Sequence, residues 1–169
     1  DADNDGTCDA NDDSAHGEAS LSFDDVSEGS ITVNYDSDMP IYGFQFRVNG
    51  VDITEVSGAL DLTSFNSDNG MIFGASLTGS SLSAGSGSLL TISFAPGLDG
   101  YELSVTEVIV AGQGGNEIVS TSPGESSIPD CANDDDDMTC NVADAWPDCS
   151  DEGTDPYDDC NICNGGNAD

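Results

Sequence analysis

Two acidic stretches carry the residues best suited to chemistry in this chain. The first, "DADNDGTCDANDD", packs six aspartates into thirteen residues. The second, "NDDDDMTCNVAD", begins at Asn133 and repeats the same frame 132 positions later. Asp1, Asp3, Asp5, Thr7, Asp9 and Asp12 of the first frame fall on Asn133, Asp135, Asp137, Thr139, Asn141 and Asp144 of the second, and a Thr-Cys pair recurs in both. Calcium takes six to eight hard oxygen ligands, and a twelve-residue loop supplies them from positions 1, 3, 5, 7, 9 and 12. Position 7 acts through its backbone carbonyl, so Thr7 and Thr139 need no acid. Gly6 suits the sharp turn at the centre of the first loop. Met138 occupies that place in the second, where a left-handed backbone would cost about 1–2 kcal/mol. The expectation there is strain absorbed by bound Ca²⁺, or a different local path. A third frame, "DCSDEGTDPYDD", offers Asp148, Ser150, Glu152, the Thr154 carbonyl and Asp159. Pro156 and the nearby cysteines fit a disulfide-bound turn equally well.

The charge sets the class of partner. Thirty-four acids face a single cation, Arg47, for a net charge of −33. Nucleic acids and anionic membranes are excluded, because phosphate binding needs Lys or Arg to displace counterions. No apolar run approaches the ~20 residues that span a bilayer, so no membrane insertion is expected. The acids are uneven: six lie in 1–16, fifteen in 17–128 and thirteen in 129–169. These boundaries define three segments, an acidic calcium-binding repeat, a central domain and a cysteine-rich acidic calcium-binding segment. The chain starts inside a motif, which suggests a processed product, an excised module or part of something longer.

Cysteine follows acid. Cys8 stands alone near the start, and Cys131, Cys140, Cys149, Cys160 and Cys163 crowd the last segment. Six cysteines in segments too polar for a core indicate disulfides and an oxidising, extracellular setting. Zinc is the competing use, with one CxxC pair (Cys160, Cys163) and one distant histidine, His16. Five cysteines cannot close among themselves, so full oxidation requires one of them to reach Cys8, in the same chain or a neighbour.

The elements that hold these segments apart lie between them. "SITVNY" sets Ile31, Val33 and Tyr35 on one face, and "IYGFQFRV" sets Tyr42, Phe44, Phe46 and Val48 inward with Gln45 and Arg47 outward. "ASLSF", "VDITEV", "GMIFGAS", "LLTISFA", "ELSVTEVIV" and "NEIVST" are further strand-length runs, split by Gly, Asn, Asp and Ser turns. "GASLTGSSLSAGSGS" and "STSPGESSIP" read as loop and linker. Short strands at this spacing predict an all-β, antiparallel two-sheet sandwich with loop-rich terminal segments.

Over residues 19–121 the run "IYGFQFRVNGVDITEV", the small-residue loop before "LLTISF" and the hairpin "AGQGGNEI" resemble the cohesin-type domain of extracellular bacterial scaffoldins and surface proteins. That resemblance implies a nine-stranded, jelly-roll-like sandwich whose usual work is protein docking, often to calcium-loaded dockerins. It carries over no contact residue. The acidic frames resemble thrombospondin type 3 repeats and dockerin loops; flanking amphipathic helices are absent, which favours the thrombospondin likeness.

Catalysis finds no constellation. His16 has no nucleophile motif beside it, and close carboxylate pairs are inevitable among so many acids. The sequence therefore predicts a non-catalytic, calcium-stabilised subunit of an extracellular filament or surface matrix, self-associating end to end into a homopolymer. The alternative is a docking or adhesion module for a dockerin-like protein or a glycan.

Overall fold

The computed structural model describes residues 17–150, 156–158 and 162–164. The first acidic frame, Cys8 and His16 lie outside these residues, as do Glu152, Thr154, Asp159 and Cys160. Strands form wherever apolar side chains alternate: β1 (Glu18–Asp24), β2 (Ser30–Ser37), β3 (Gly43–Asn49), β4 (Ile53–Gly58), β5 (Leu62–Asn66), β6 (Met71–Ala75), β7 (Gly85–Phe94), β8 (Tyr101–Ala111), β9 (Glu117–Thr121) and β10 (Glu125–Ile128). Among the described residues a 3₁₀ turn at Gln113–Gly115 interrupts them, and there is no α-helix.

One layer runs β4-β7-β2-β1-β9 and the other β9-β8-β3-β6-β5, with β10 added beside β8. β9 belongs to both. It pairs antiparallel with β8 at Val110↔Ile118 and parallel with β1 at Glu18↔Val119, so the two layers join along this strand. Every other strand pairing is antiparallel. The inner faces meet in a dry core where Ile31, Ile41, Phe46, Ile72, Leu89, Ile92 and Leu103 are fully buried. Phe44 and Phe46 stack with ring centroids 5.7 Å apart. Gly74 makes room for them, since a Cβ there would sit 2.3 Å from the Phe44 ring. Burying a side chain the size of Phe46 contributes about 1.5–3 kcal/mol.

The fold corrects two local expectations and adds one strand that the sequence analysis did not single out. "LTSFN" forms β5 although it lacks clean alternation, because Phe65 and its neighbours pair along β6. "ESSI", expected within a linker, forms β10 through its ladder with residues 101–104 of β8. "GSGS", expected within a loop, opens β7 opposite the end of β2. In all three the partner strand supplies what the side chains do not.

The chain crosses the sandwich from pole to pole. Glu18 enters beside Asp38, whose N–H donates to the Glu18 carbonyl at 3.2 Å. Ile128 leaves opposite Tyr101, the first residue of β8, at the far end.

Candidate functional site

Beyond β10 the chain is tied to the exit pole. The Cys131 N–H donates to the Gly97 carbonyl at 3.0 Å, and the Ala132 N–H donates to Glu28 Oε2 at 3.1 Å. A disulfide joins Cys131 to Cys140, and the Asn141 N–H closes on the Ala132 carbonyl at 2.9 Å. Inside this loop exposure alternates: Asn133, Asp135, Asp137 and Thr139 are half-buried while 134, 136 and 138 are exposed.

Carboxylate oxygens of Asp135, Asp137 and Asp144 lie within 4.8 Å of one another. Each aspartate spends one oxygen on the backbone N–H two residues ahead. Asp135 Oδ1 accepts from Asp137 at 3.3 Å, Asp137 Oδ1 from Thr139 at 2.6 Å, and Asp144 Oδ1 from Trp146 at 2.8 Å. These local turns are typical of aspartate. The second oxygens of Asp135 and Asp144 are buried with no hydrogen-bond partner, and so is Asn133 Oδ1. The Asn133 amide nitrogen, meanwhile, donates to the Asp137 carbonyl at 2.8 Å. Each orphaned buried acceptor costs about 1–3 kcal/mol, and more when charged. A cation held by the Asp135, Asp137 and Asp144 carboxylates would satisfy the two orphaned carboxylate oxygens. The donors are carboxylate and carbonyl oxygens, which suit hard cations rather than soft ones.

The other frame positions do different work. Asn141 turns away from the cluster: its Oδ1 accepts the Asp134 N–H at 3.0 Å and its amide donates to Asp134 Oδ2 at 2.9 Å. The left-handed residue is Asp136, at φ 58°, rather than Met138, which points outward at 91% exposure. The loop thus takes the different path, and places its left-handed turn on a residue type that tolerates it. In the third frame Asp148 is exposed, and the Ser150 carbonyl accepts from the Asn164 amide at 3.0 Å. Its remaining positions, like Asp1, Asp3, Asp5, Thr7, Asp9 and Asp12, lie outside the described residues. Cys163 is bonded to Cys149, which removes it from the CxxC zinc pair.

A second candidate lies on the outer face of the β8-β3-β6-β5 layer. Cross-strand register aligns Ile109, Gln45, Phe73 and Ser64 in one row, and Thr106, Arg47, Met71 and Asn66 in the next. Phe73 and Ile109 remain 40% and 45% exposed, flanking Gln45. Arg47 sits beside them, donating to the Asn69 carbonyl at 2.9 Å and pairing with Glu107 at 3.2 Å. Sequence reasoning had put Gln45 and Arg47 outward but missed Phe73 and Ile109, whose register only the paired strands define.

At the end of this face Asp61 gathers the 76–80 loop. Its carboxylate accepts from the Leu77 and Thr78 N–H groups at 3.1 and 3.0 Å and from the Thr78 and Ser80 hydroxyls at 2.6 Å each. The Ser80 and Thr78 bonds hold its carboxyl well below the usual range. Leu77 is left 73% exposed at the tip.

Together these features define an all-β, cohesin-like sandwich carrying an oxygen-lined loop that can hold a metal ion. No family model and no curated protein matches the sequence. Solved structures do match the fold. A chain of the CaDoc0917–CaCohA2 complex is 15% identical, with a TM-score of 0.51 over 66% of this chain and 100% of its own. A chain of a type I cohesin–dockerin complex from Clostridium thermocellum is 11% identical, with a TM-score of 0.51 over 67% of this chain and 94% of its own. A non-cellulosomal cohesin from the archaeon Archaeoglobus fulgidus is 14% identical, with a TM-score of 0.48 over 66% and 91%. At these identities the likeness is one of fold. No helix among the described residues is long and apolar enough to cross a membrane.

Proposed function

We propose that this chain is a non-catalytic, extracellular docking or adhesion module whose acidic tail is braced by Ca²⁺. The observation that carries the docking role is the row Ile109–Gln45–Phe73, two large apolar side chains held in register on the outer face of a sheet. Aromatic and aliphatic anchors of this kind dominate protein interfaces. The occupant favoured is a dockerin-like protein, since one of the matched folds comes from a complex of that type. Ca²⁺ is the cation favoured for the loop because its donors are all oxygen and spaced in a calcium-loop frame.

Surface plasmon resonance against a dockerin panel in millimolar calcium tests the reading, alongside the double variant Phe73→Ala/Ile109→Ala. Binding that the double variant weakens at least tenfold supports it. A glycan array hit without any protein partner would replace the occupant, and binding indifferent to the double variant would remove the face.

End-to-end assembly into a filament is the second reading. One observation favours it: the chain enters and leaves at opposite poles, as a serial array requires. It depends on the first acidic frame and Cys8, outside the described residues, and therefore ranks behind docking. Light scattering of the purified chain in millimolar calcium would show growth if it is right.

A further inference from the structure

We propose that the Cys131–Cys140 disulfide is a redox lock on the cation loop, so that oxidation of this pair and metal loading favour one another. The proposal rests on the cation-loop reading above. The two cysteines are nine residues apart, and Asn133, Asp135 and Asp137 lie between them. Asp144 lies just beyond, but its placement also runs through the lock. The N–H groups of Ala143 and Asp144 both donate to the Cys140 carbonyl, at 2.8 and 3.1 Å. Cutting the bridge therefore leaves the segment that carries Asn133, Asp135 and Asp137 closed only by the Asn141 N–H to Ala132 carbonyl bond, with Asp144 anchored through Cys140 alone.

The physical consequence is a change in the open state. With the bridge intact, the empty loop can spread only slightly, so its carboxylates stay near one another despite their repulsion. With the bridge reduced, three like charges push apart a chain that gains the entropy of an open loop. A cation must then reclose the loop before all the oxygens reach it. The expected weakening of Ca²⁺ binding is about tenfold to a hundredfold, from the closure entropy of a loop this short. Linkage requires the reverse effect to equal it: bound cation must disfavour reduction by the same factor. The burial of both sulfurs adds a kinetic side, because a reductant reaches them only when the loop opens.

The chemistry is ordinary exchange with a dithiol. One thiolate of the reductant attacks a loop sulfur to give a mixed disulfide, and its second thiol displaces the loop. The dithiol leaves as a cyclic disulfide, while Cys131 and Cys140 gain two electrons and two protons as thiols. In a reducing compartment the loop would stay open and unloaded. Transfer to an oxidising, calcium-rich one would close and fill it.

The test is calorimetric titration of the whole chain with Ca²⁺, the heat of this loop being the part lost in Asp135→Asn. The variant Cys131→Ser/Cys140→Ser should bind at this loop at least tenfold more weakly. Cys149→Ser/Cys163→Ser should stay within about threefold of the parent. Independently of any variant, alkylation mapping of the parent chain poised in dithiothreitol should show Cys131 and Cys140 more resistant to reduction with calcium than with chelator, by a matching factor. Equal affinities together with calcium-independent reduction would overturn the lock and leave a plain staple. An oxidised parent with no calcium uptake at the loop would overturn the cation-loop reading itself, and the lock with it.

Discussion

Replacing Asp135 by Asn should move the stability of the cation loop in opposite directions with and without calcium. Two unit charges 4.8 Å apart repel by about 0.9 kcal/mol at the dielectric of water, and several times that in a less screened setting. Asp135 takes part in two of the three carboxylate pairs in the cluster. Removing its charge while keeping its shape therefore relieves about 2 kcal/mol in the metal-free loop, taking the water-screened limit for groups that are only half-buried. The Asn Oδ1 can still accept the Asp137 N–H that Asp135 accepts at 3.3 Å, so little is lost in exchange. With calcium the sign reverses, since a charged ligand has become neutral. Hydrogen exchange at the Thr139, Asn141 and Trp146 amides reads both states, because the Asn141 N–H closes the loop and the other two donate to carboxylates of the cluster. In chelator these amides should exchange about tenfold to thirtyfold more slowly in the variant. In calcium near the dissociation constant of the parent they should exchange faster than in the parent. Faster exchange in chelator, combined with protection that calcium leaves unchanged in parent and variant alike, would show that the aspartates are solvated turn residues and that no cation is held.

Phe46→Ala should cost about 3–5 kcal/mol in urea denaturation, because the ring is fully buried, and chelation should leave the unfolding midpoint of the sandwich unchanged. With Cys131–Cys140 and Cys149–Cys163 formed, full oxidation requires Cys8 and Cys160 to pair; thiol titration of denatured chain should find none free, and non-reducing electrophoresis tells pairing within a chain from pairing between chains. Asp61 has its carboxyl lowered by Ser80 and Thr78, so its hold on the loop is complete above the ordinary aspartate pKa and is lost as pH falls through the lower folded value. The Leu77 and Thr78 amides should thus stay protected through pH 4, about the usual aspartate value, and protection lost there would contradict the hydrogen-bond arrangement. Partner affinity at the outer face should change less than threefold when the Asp135→Asn variant replaces the parent, by surface plasmon resonance; a larger loss would mean that the tail belongs to the interface.

The sandwich was legible because its core strands announce themselves. β2 and β3 bury Ile31, Val33 and Tyr35, and Phe44, Phe46 and Val48, in strict alternation, and alternation is the direct imprint of a half-buried strand. β10 was illegible for the converse reason. Three of its four residues are Glu or Ser, and only the ladder with β8 makes it a strand. The gathering of acids in the second frame was partly legible. Positions 3, 5 and 12 of its frame converge as Asp135, Asp137 and Asp144, because spacing determines which way each carboxylate turns. Position 9 was not, since Asn141 finds a nearer partner in Asp134. The exposed apolar row on the outer face was beyond sequence reasoning, because Ile109 and Phe73 are 36 positions apart in the chain and meet only through their common neighbour Gln45.

The two candidate sites sit in different electrostatic settings, which bears on how so acidic a chain would meet the proposed partner. The tail carries thirteen acids in forty-one residues and is tied to turns at the exit pole through Gly97 and Glu28. The outer face holds Arg47, the only Lys or Arg of the chain, within a row of neutral and apolar side chains. Screening at physiological salt acts over about 8 Å, so charge at the pole shapes the approach of a partner more than the contact itself. Bound calcium ions at the tail would leave the chain strongly negative, since even three of them offset only a small part of −33. Non-specific association between copies is thereby opposed everywhere except where acid is sparse. The row from Ile109 to Phe73 is one such place, with Glu107 paired to Arg47 beside it, and it offers a partner apolar side chains to bury.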